Sequence, residues 1–428
     1  MLESGPEADL LDFFFPIRRG RSSLGSKRGA GSQMDQHTQQ KDESHGSNSS
    51  IEFRASVRAL SHKGHGVVDH PDGRVFFVKE TWPGDAGIFA AASELKSYDY
   101  AEVVGLEVLS PERTAIPCPH KGAGENKCGG CPWMMVNYPA QVAAKEQRVE
   151  FLLSKNGIQV RERFPLLPAP QSFGYRNRAQ FKTDGVRLGY VVEGTNNLAP
   201  IDDCLILNDK MRGLFRELRA QLPKVEWRPT PPHPWNYLDV DDLQSAGEVQ
   251  LNRRRPFRQG NSAQNLAMRT WIVDALRDLR RDFPVLEAFC GSGNFTEALS
   301  QAGFSNIVAA EVRGAAVEEL ERKQLPGVRI LELDMNQKGV WQQLARRQPH
   351  AKILLVDPPR EGIEKRRGLF KYLDNLERIL YVSCEPTTWA RDVKDFQAQG
   401  WEVASLTPLD MFPHTPHVEL LSVLVRRG

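Results

Sequence analysis

Val285–Ser300 reads VLEAFCGSGNFTEALS: an apolar run, a glycine-rich turn and the start of a helix. Glycines at such a turn let the backbone approach a ligand closely. A lone Gly-x-Gly is a weak sign, and the third glycine of a dinucleotide fingerprint is absent. Three later apolar runs give it weight. NIVAAE ends on Glu311, RILELD ends on Asp334, and AKILLVDPPR carries Asp357 at its end. Strands that alternate with helices predict a doubly wound α/β fold, whose ligands bind beyond the carboxyl ends of the strands. Glu311 falls where such folds set a carboxylate against ribose hydroxyls. A single strand-end acid could simply cap the next helix. Three in consecutive units point to a binding crevice.

Two further segments carry reactive groups. Cys384 closes the apolar run RILYVSC and precedes EPTTWARD, which reads as a helix entry. A thiol at a helix N-terminus is favoured as thiolate, the nucleophilic form. Glu419 opens the last apolar run of the chain, in HTPHVELLSVL, and an acid there is out of place unless it faces a site. Cys290 also carries a thiol, but inside the glycine loop its expected role is packing.

Outward from this region the chain divides into segments. With 428 residues it is too long for one core, and 40% apolar with 26% charged residues is a globular composition. No apolar run approaches the roughly 18 residues that suggest a membrane span, and no secretory signal opens the chain. A net charge of +2 neither requires nor forbids a nucleic-acid partner. Residues 1–50 are rich in Ser, Gly, Gln, His and Arg without an apolar period and are expected to be disordered, with Met34 a second possible start. Residues 51–110 alternate short apolar runs with turn signals, HPDG at His70–Gly73 and WPGD at Trp82–Asp85, and predict a small β-barrel of the kind that binds single-stranded nucleic acid or merely packs on a neighbour. Residues 111–258 combine a Pro/Gly-rich cysteine loop, a helical pattern at Gln141–Ser154 and a mostly β stretch. Residues 259–428 hold the doubly wound fold. Arg176, Arg178, Lys182 and Arg253–Arg255 are basic residues suited to holding phosphates.

Cys118, Cys128 and Cys131 form a C-x9-C-x2-C group, and Cys204 offers a fourth thiolate 73 residues later. In a chain with six cysteines this grouping favours a metal or cluster over disulfides. Four cysteines suit tetrahedral zinc or an iron–sulfur cluster, and spacing does not choose between them.

Taken together, EAFCGSGNFT, LLVDPPR, YVSCEP and HVE, with FRQGN (Phe257–Asn261) ahead of them, resemble the RNA uracil-5 methyltransferase family. The resemblance implies a multidomain α/β protein: a TRAM-like (OB-like) N-terminal β-barrel, a central mostly β domain with an iron–sulfur loop, and a C-terminal Rossmann-like class I methyltransferase domain. It implies S-adenosylmethionine as the methyl donor, with Gln259, Asn261, Phe289, Asn294, Glu311, Asp334 and Asp357 lining the cofactor and base site. Cys384 becomes the nucleophile that adds to carbon 6 of uracil, and Glu419 the general base that removes the carbon 5 proton. The cysteine loop is similar to that of ribosomal-RNA members, which implies a [4Fe–4S] cluster on Cys118, Cys128, Cys131 and Cys204, although the first gap is longer than usual. Family members generally have Asn after the nucleophile, where this chain has Glu385. The expected protein is a cytoplasmic monomer acting on RNA, ribosomal rather than transfer RNA, with no membrane association. A transfer-RNA methyltransferase and a catalytically silent RNA-binding protein are the alternatives.

Overall fold

The computed structural model describes residues 50–427 apart from 93–97, 123, 125 and 313. The predicted tail lies almost wholly outside these residues. The chain forms two units, 1–111 and 112–428.

In the first unit six strands follow one another: β1 (Ser50–Ser56), β2 (Ala59–Leu60), β3 (Gly66–Asp69), β4 (Val75–Val78), β5 (Ala86–Ala92) and β6 (Tyr98–Val108). They pair in the order β1-β5-β6-β4-β3-β2, antiparallel except for β4 with β6. Both predicted turns form: Gly73 N–H donates to His70 O and Asp85 N–H to Trp82 O, each at 2.9 Å. Phe53, Val68, Phe76, Val78 and Phe89 fill the interior. A Cβ on Gly87 would lie 2.1 Å from Gly105 O, so β5 and β6 meet where no side chain fits.

The second unit begins with the cysteine loop and α1 (Tyr138–Asn156), which Asn137 caps by accepting from Ala140 N–H at 2.9 Å. After β7 (Val160–Arg163) come β8 (Arg178–Thr183), β9 (Leu188–Val191), β10 (Leu198–Pro200), α2 (Asp209–Ala220) and β11 (Asn236–Asp241). Strands β8 to β11 make an antiparallel sheet, β10-β9-β8-β11. Its β8 alternates as period-2 patterning requires: Ala179, Phe181 and Thr183 point to the core with Met211 and Phe215 of α2, and Arg178, Gln180 and Lys182 point outward.

The remaining elements are α3 (Ser262–Asp274), β12 (Val285–Ala288), α4 (Asn294–Gln301), β13 (Ile307–Glu311), α5 (Gly314–Arg322), β14 (Val328–Glu332), α6 (Val340–Arg347), β15 (Ile353–Val356), α7 (Leu369–Tyr372), β16 (Arg378–Ser383), α8 (Pro386–Gln397), β17 (Trp401–Leu409) and β18 (Glu419–Arg426). The large sheet runs β14-β13-β12-β15-β16-β18-β17-β7, parallel from β14 to β16, with β18 antiparallel to both of its neighbours. Its central strands are mostly apolar because helices cover both faces. Trp341, Trp389 and Trp401 pack on one side, and Met268, Phe295 and Phe304 on the other. Although α1 and β7 precede residue 259, β7 completes the edge of this sheet beside β17, and α1 packs on α8. Strand order reverses at β12, which has β13 on one side and β15 on the other, so a crevice opens there at the carboxyl edge.

Candidate active site and cysteine cluster

The carboxyl edge of the large sheet gathers the reactive groups. Ser383, the last residue of β16, pairs with Leu420 of β18. Continuing that antiparallel register by one residue sets Cys384 across from Glu419, the first residue of β18. Val356, the last residue of β15, pairs with Tyr381 of β16, so Asp357 follows it onto the same edge. Immediately after Cys384, Glu385 caps α8: its Oε1 accepts from Thr387 N–H at 3.3 Å and Thr387 Oγ1 at 2.8 Å. The Glu385 carboxylate thus takes over the capping that a smaller polar residue performs elsewhere. Arg148 of α1 places its charge near Glu385 and donates to Pro416 O at 2.7 Å.

Electrostatics here differ from the sequence expectation. Burial, then the nearby Glu419 and Asp357, push the Cys384 thiol up to about 12, with only Arg360 pulling the other way among the larger influences. A rise from 9.0 to about 12 opposes ionisation by about 4 kcal/mol. A helix end favours the anion by about 0.3–1 kcal/mol. The helix loses, and the ligand-free protein holds a neutral thiol. Glu419, 6% exposed, is raised to about 8 by burial and then by Asp357. Burial raises Asp357 to about 7, although its side chain keeps some contact with solvent.

The loop bearing Asp357 and Arg360 is clamped onto α8. Thr388 Oγ1 donates to Arg360 O at 2.9 Å, Arg391 Nη2 to Glu361 O at 2.7 Å, and Ile363 N–H to the buried Asp392 at 2.8 Å. Tyr381 of β16 donates to the same Asp392 oxygen at 2.7 Å. One helix therefore holds both the thiol and the loop opposite it.

In the crevice, Gly291 and Gly293 adopt φ of 55° and 81°, and Phe289 adopts 63°. A Cβ on Gly293 would come 2.2 Å from Leu320 Cδ1, whereas Gly291 has open space on that side. The Glu311 carboxylate accepts from Gly291 N–H at 3.0 Å and Val312 N–H at 2.9 Å, tying the turn to the end of β13. Asn294 pairs side chain to side chain with Asn265 of α3. Asn261 caps α3, and the Gln259 carbonyl accepts from Asn177 at 3.0 Å. Asp334 is exposed, two residues beyond β14, and accepts from Asn336 N–H at 2.8 Å.

Sequence reading missed Glu287. It lies inside apolar β12, almost fully buried, and burial raises it to about 8. One of its oxygens has no hydrogen-bond partner. An acid in the middle of VLEA was the available signal. Equally unread was the fully buried ion pair of Lys145 in α1 with Asp410, at 2.5 Å; Asp410 also accepts from Tyr138 OH at 2.8 Å.

Among the residues read as phosphate holders, Arg178 is committed to Asp239 at 2.8 Å and Arg255 to Asp241 at 2.7 Å. Arg176 donates to Arg178 O at 2.9 Å and lies over the Phe412 ring. These three serve the fold first.

Cys118, Cys128, Cys131 and Cys204 line one cavity with Met134 and Tyr190. Cys131 reaches it with φ of 57°, and a Cβ on Gly129 would lie 2.7 Å from Glu193 N. Gly130 N–H points at Cys128 Sγ, 3.4 Å away. Burial and then the neighbouring thiols push Cys131 up to about 12. Among the described residues no three His, Cys, Asp or Glu side chains stand close enough to hold a single metal ion. Met134 packs with Tyr175 and Ile206 in an apolar cluster against which Phe412 also lies, and Tyr175 OH donates to Pro413 O at 3.2 Å. No described helix is long and apolar enough to cross a membrane.

Residues 238–427 match the family described as tRNA (Uracil-5-)-methyltransferase. An uncharacterized RNA methyltransferase of Nitrosomonas europaea is 42% identical over 376 residues, covering 86% of this chain and 96% of the relative. The 23S rRNA (uracil(1939)-C(5))-methyltransferase RlmD of Alcanivorax borkumensis is 29% identical over 436 residues, 86% of this chain and 95% of its own length. Among solved structures, the tRNA (uracil-54, C5)-methyltransferase of Pyrococcus abyssi in complex with S-adenosyl-L-homocysteine superposes with a TM-score of 0.63 at 22% identity, over 87% of this chain and 100% of that one. The chain belongs to the RNA uracil-5 methyltransferase family and is an S-adenosylmethionine-dependent RNA methyltransferase.

Proposed function

We propose that this enzyme methylates carbon 5 of one uridine in 23S ribosomal RNA through a covalent bond between Cys384 and carbon 6 of the base. The observation that carries this reading is the register placing Cys384 opposite Glu419, with Asp357 on the same edge. Carbon 5 of uracil is a poor nucleophile, and addition of sulfur to carbon 6 moves an electron pair onto it. Cys384 Sγ bonds to carbon 6 while its proton passes to Asp357, so that Glu419 stays ionised for the later step. S-adenosylmethionine, when bound, supplies an electrophilic methyl group and a positive charge. Carbon 5 takes the methyl group as the donor's sulfur–methyl bond breaks and S-adenosylhomocysteine leaves. Glu419 removes the carbon 5 proton, the bond between Cys384 and carbon 6 breaks, and the thiol regains its proton from Asp357. A base near pKa 8 is well matched to proton removal close to neutral pH.

Gln259, Phe289, Asn294, Glu311 and Asp334 line the donor crevice in this reading. It is supported by the open side of Gly291 and by the bond between the turn and Glu311. Cys118, Cys128, Cys131 and Cys204 would hold a [4Fe–4S] cluster. The reading is supported by four thiols lining one cavity. Its role is to tie the cysteine loop to the segment around Cys204. The N-terminal β unit serves as a TRAM-like RNA module, and the enzyme works as a cytoplasmic monomer. Relatives named for 23S ribosomal RNA align over most of their length, which supports that substrate. The transfer-RNA names of the matching family and of the Pyrococcus protein keep transfer RNA as the second reading.

Separated ribosomal and transfer RNA from a strain lacking the gene, incubated with labelled donor, distinguish the two. Label in the large ribosomal RNA is expected, and label confined to transfer RNA overturns that choice. Cys384→Ala should bind donor yet lose methylation and covalent capture of 5-fluorouridine RNA. Full activity in that variant would refute the nucleophile.

A further inference from the structure

Six cations lie around β8 and β11 and the segment after them: Arg178, Lys182, Arg253, Arg254, Arg255 and Arg258, of which Arg253 donates to Gln250 at 2.6 Å. Three are neutralised by the chain's own acids, Arg178 by Asp239, Arg255 by Asp241, and Arg258 by Asp242 at 3.3 Å. Lys182 and Arg254 form no ion pair with any described residue. Lys182 Nζ instead lies 4.1 Å from the Trp235 ring centroid and 5.2 Å from that of Tyr237. Both rings are fixed from the side: Trp235 Nε1 donates to Asn196 O at 2.9 Å, and Tyr237 OH to Asn252 O at 2.7 Å. Lys182 also donates to Gln180 at 2.6 Å on the same outward face. Burial and then the charge of Arg254 make protonated Lys182 less favourable, and Asp239 offsets this only in part.

The segment bearing Arg254 runs on in the chain to Gln259 and Asn261, residues read as lining the donor crevice. Arg254 is exposed, and three residues later Phe257 is 62% exposed. Gly260, next in the same stretch after Gln259, is anchored by accepting from Asn177 N–H at 3.1 Å. A chain of alternating phosphates and flat bases matches unpaired cations interleaved with fixed aromatic rings, because each base can stack while each phosphate meets a cation. A folded acidic protein would leave the rings unused.

We propose that Lys182, Arg254, Trp235 and Tyr237 form a contact surface for single-stranded RNA flanking the reactive uridine. Phosphates lie on Lys182 and Arg254, and a base stacks at Trp235. This rests on RNA being the substrate and adds where its flanking strand runs.

The test measures binding of a uridine-containing single-stranded RNA oligomer by the full-length protein across a salt series, together with methylation of RNA from the gene-lacking strain. Lys182→Gln and Arg254→Gln should each flatten the slope of log K against log salt by about 0.7, the loss of one phosphate contact on a single strand. Trp235→Ala should weaken binding about tenfold, and Trp235→Phe should restore most of it. The KM for RNA should rise while kcat at saturation holds. Arg254 is exposed, so its variant keeps the fold and isolates the charge. Wild-type slope, affinity and KM in Arg254→Gln and Trp235→Ala would overturn the surface while leaving uridine methylation standing. The slopes decide the surface even if the RNA accepts no methyl group, an outcome that would count only against the substrate reading.

Discussion

Replacing Glu419 by Gln should make Cys384 more reactive and the enzyme less active at once. Glu419 is the second cause, after burial, of the raised Cys384 thiol, and Glu419 itself ionises near 8. Its charge therefore opposes the thiolate only above about pH 8. At pH 9 the thiolate fraction of a group near 12 is on the order of one in a thousand. Loss of the facing charge should bring the thiol down by part of its rise, because the burial contribution stays. A tenfold increase in thiolate corresponds to about 1.4 kcal/mol, and this is the size expected. The assay is alkylation with iodoacetamide at pH 7 and 9, followed by mass spectrometry of the peptide bearing Cys384. The Gln variant should label up to about tenfold faster than wild type at pH 9 and little faster at pH 7. Incubated with RNA and donor, the same variant should accumulate the protein–RNA adduct, since carbon 5 keeps its proton. Equal labelling at both pH values, with no adduct, would show that Glu419 does not face Cys384.

Glu287 provides a test in stability. The unfolded chain ionises this group near 4.5 and the folded chain near 8, so between those values the unfolded state binds fewer protons and stability falls as pH rises. Glu287→Gln should melt higher than wild type at pH 8 and close to it at pH 5, with an upper limit of about 5 kcal/mol; equal melting at both pH values refutes the burial argument. Lys145→Met leaves Asp410 buried without its cation and should cost about 3–5 kcal/mol, whereas Lys145→Met with Asp410→Leu should recover most of that in denaturant melts. Protein purified without oxygen should be brown, with about four iron and four sulfide per chain, and Cys128→Ser should lose both colour and solubility. One zinc per chain without iron would replace the cluster and leave the methyl transfer intact.

Strand ends were legible in the sequence because the parallel strands, buried on both faces, leave long apolar runs that stop at polar residues. Glu311, Asp357 and Cys384 could be placed on the carboxyl edge for that reason. Opposition of Cys384 and Glu419 was not legible, because it depends on β18 entering antiparallel between β16 and β17. The protonation of the thiol turns on the same contact: its local helix favours the anion, while burial and acids from two other strands raise its pKa. Arg178 looked like a free cation because its partner, Asp239, lies on a strand that pairs with β8 across a long gap in sequence. Asp334 was expected at a strand end and lies two residues past Glu332, where the strand stops.

Lys145 and Asp410 are 265 residues apart in the chain. At the usual pace of synthesis, roughly 5–20 residues per second, the lysine leaves the ribosome tens of seconds before its partner. Until then α1 has no cation acceptor to bury against, and β7 has no neighbour, since β17 is made equally late. The cysteine loop waits too, because Phe412 packs against the apolar cluster that holds Met134, Cys118, Cys131 and Cys204. Any cluster must therefore be inserted, or its thiols kept reduced, while that packing is incomplete. A chain ended before residue 410 would display a lysine meant for the interior and four unshielded thiols, which makes it an early target for oxidation and proteolysis.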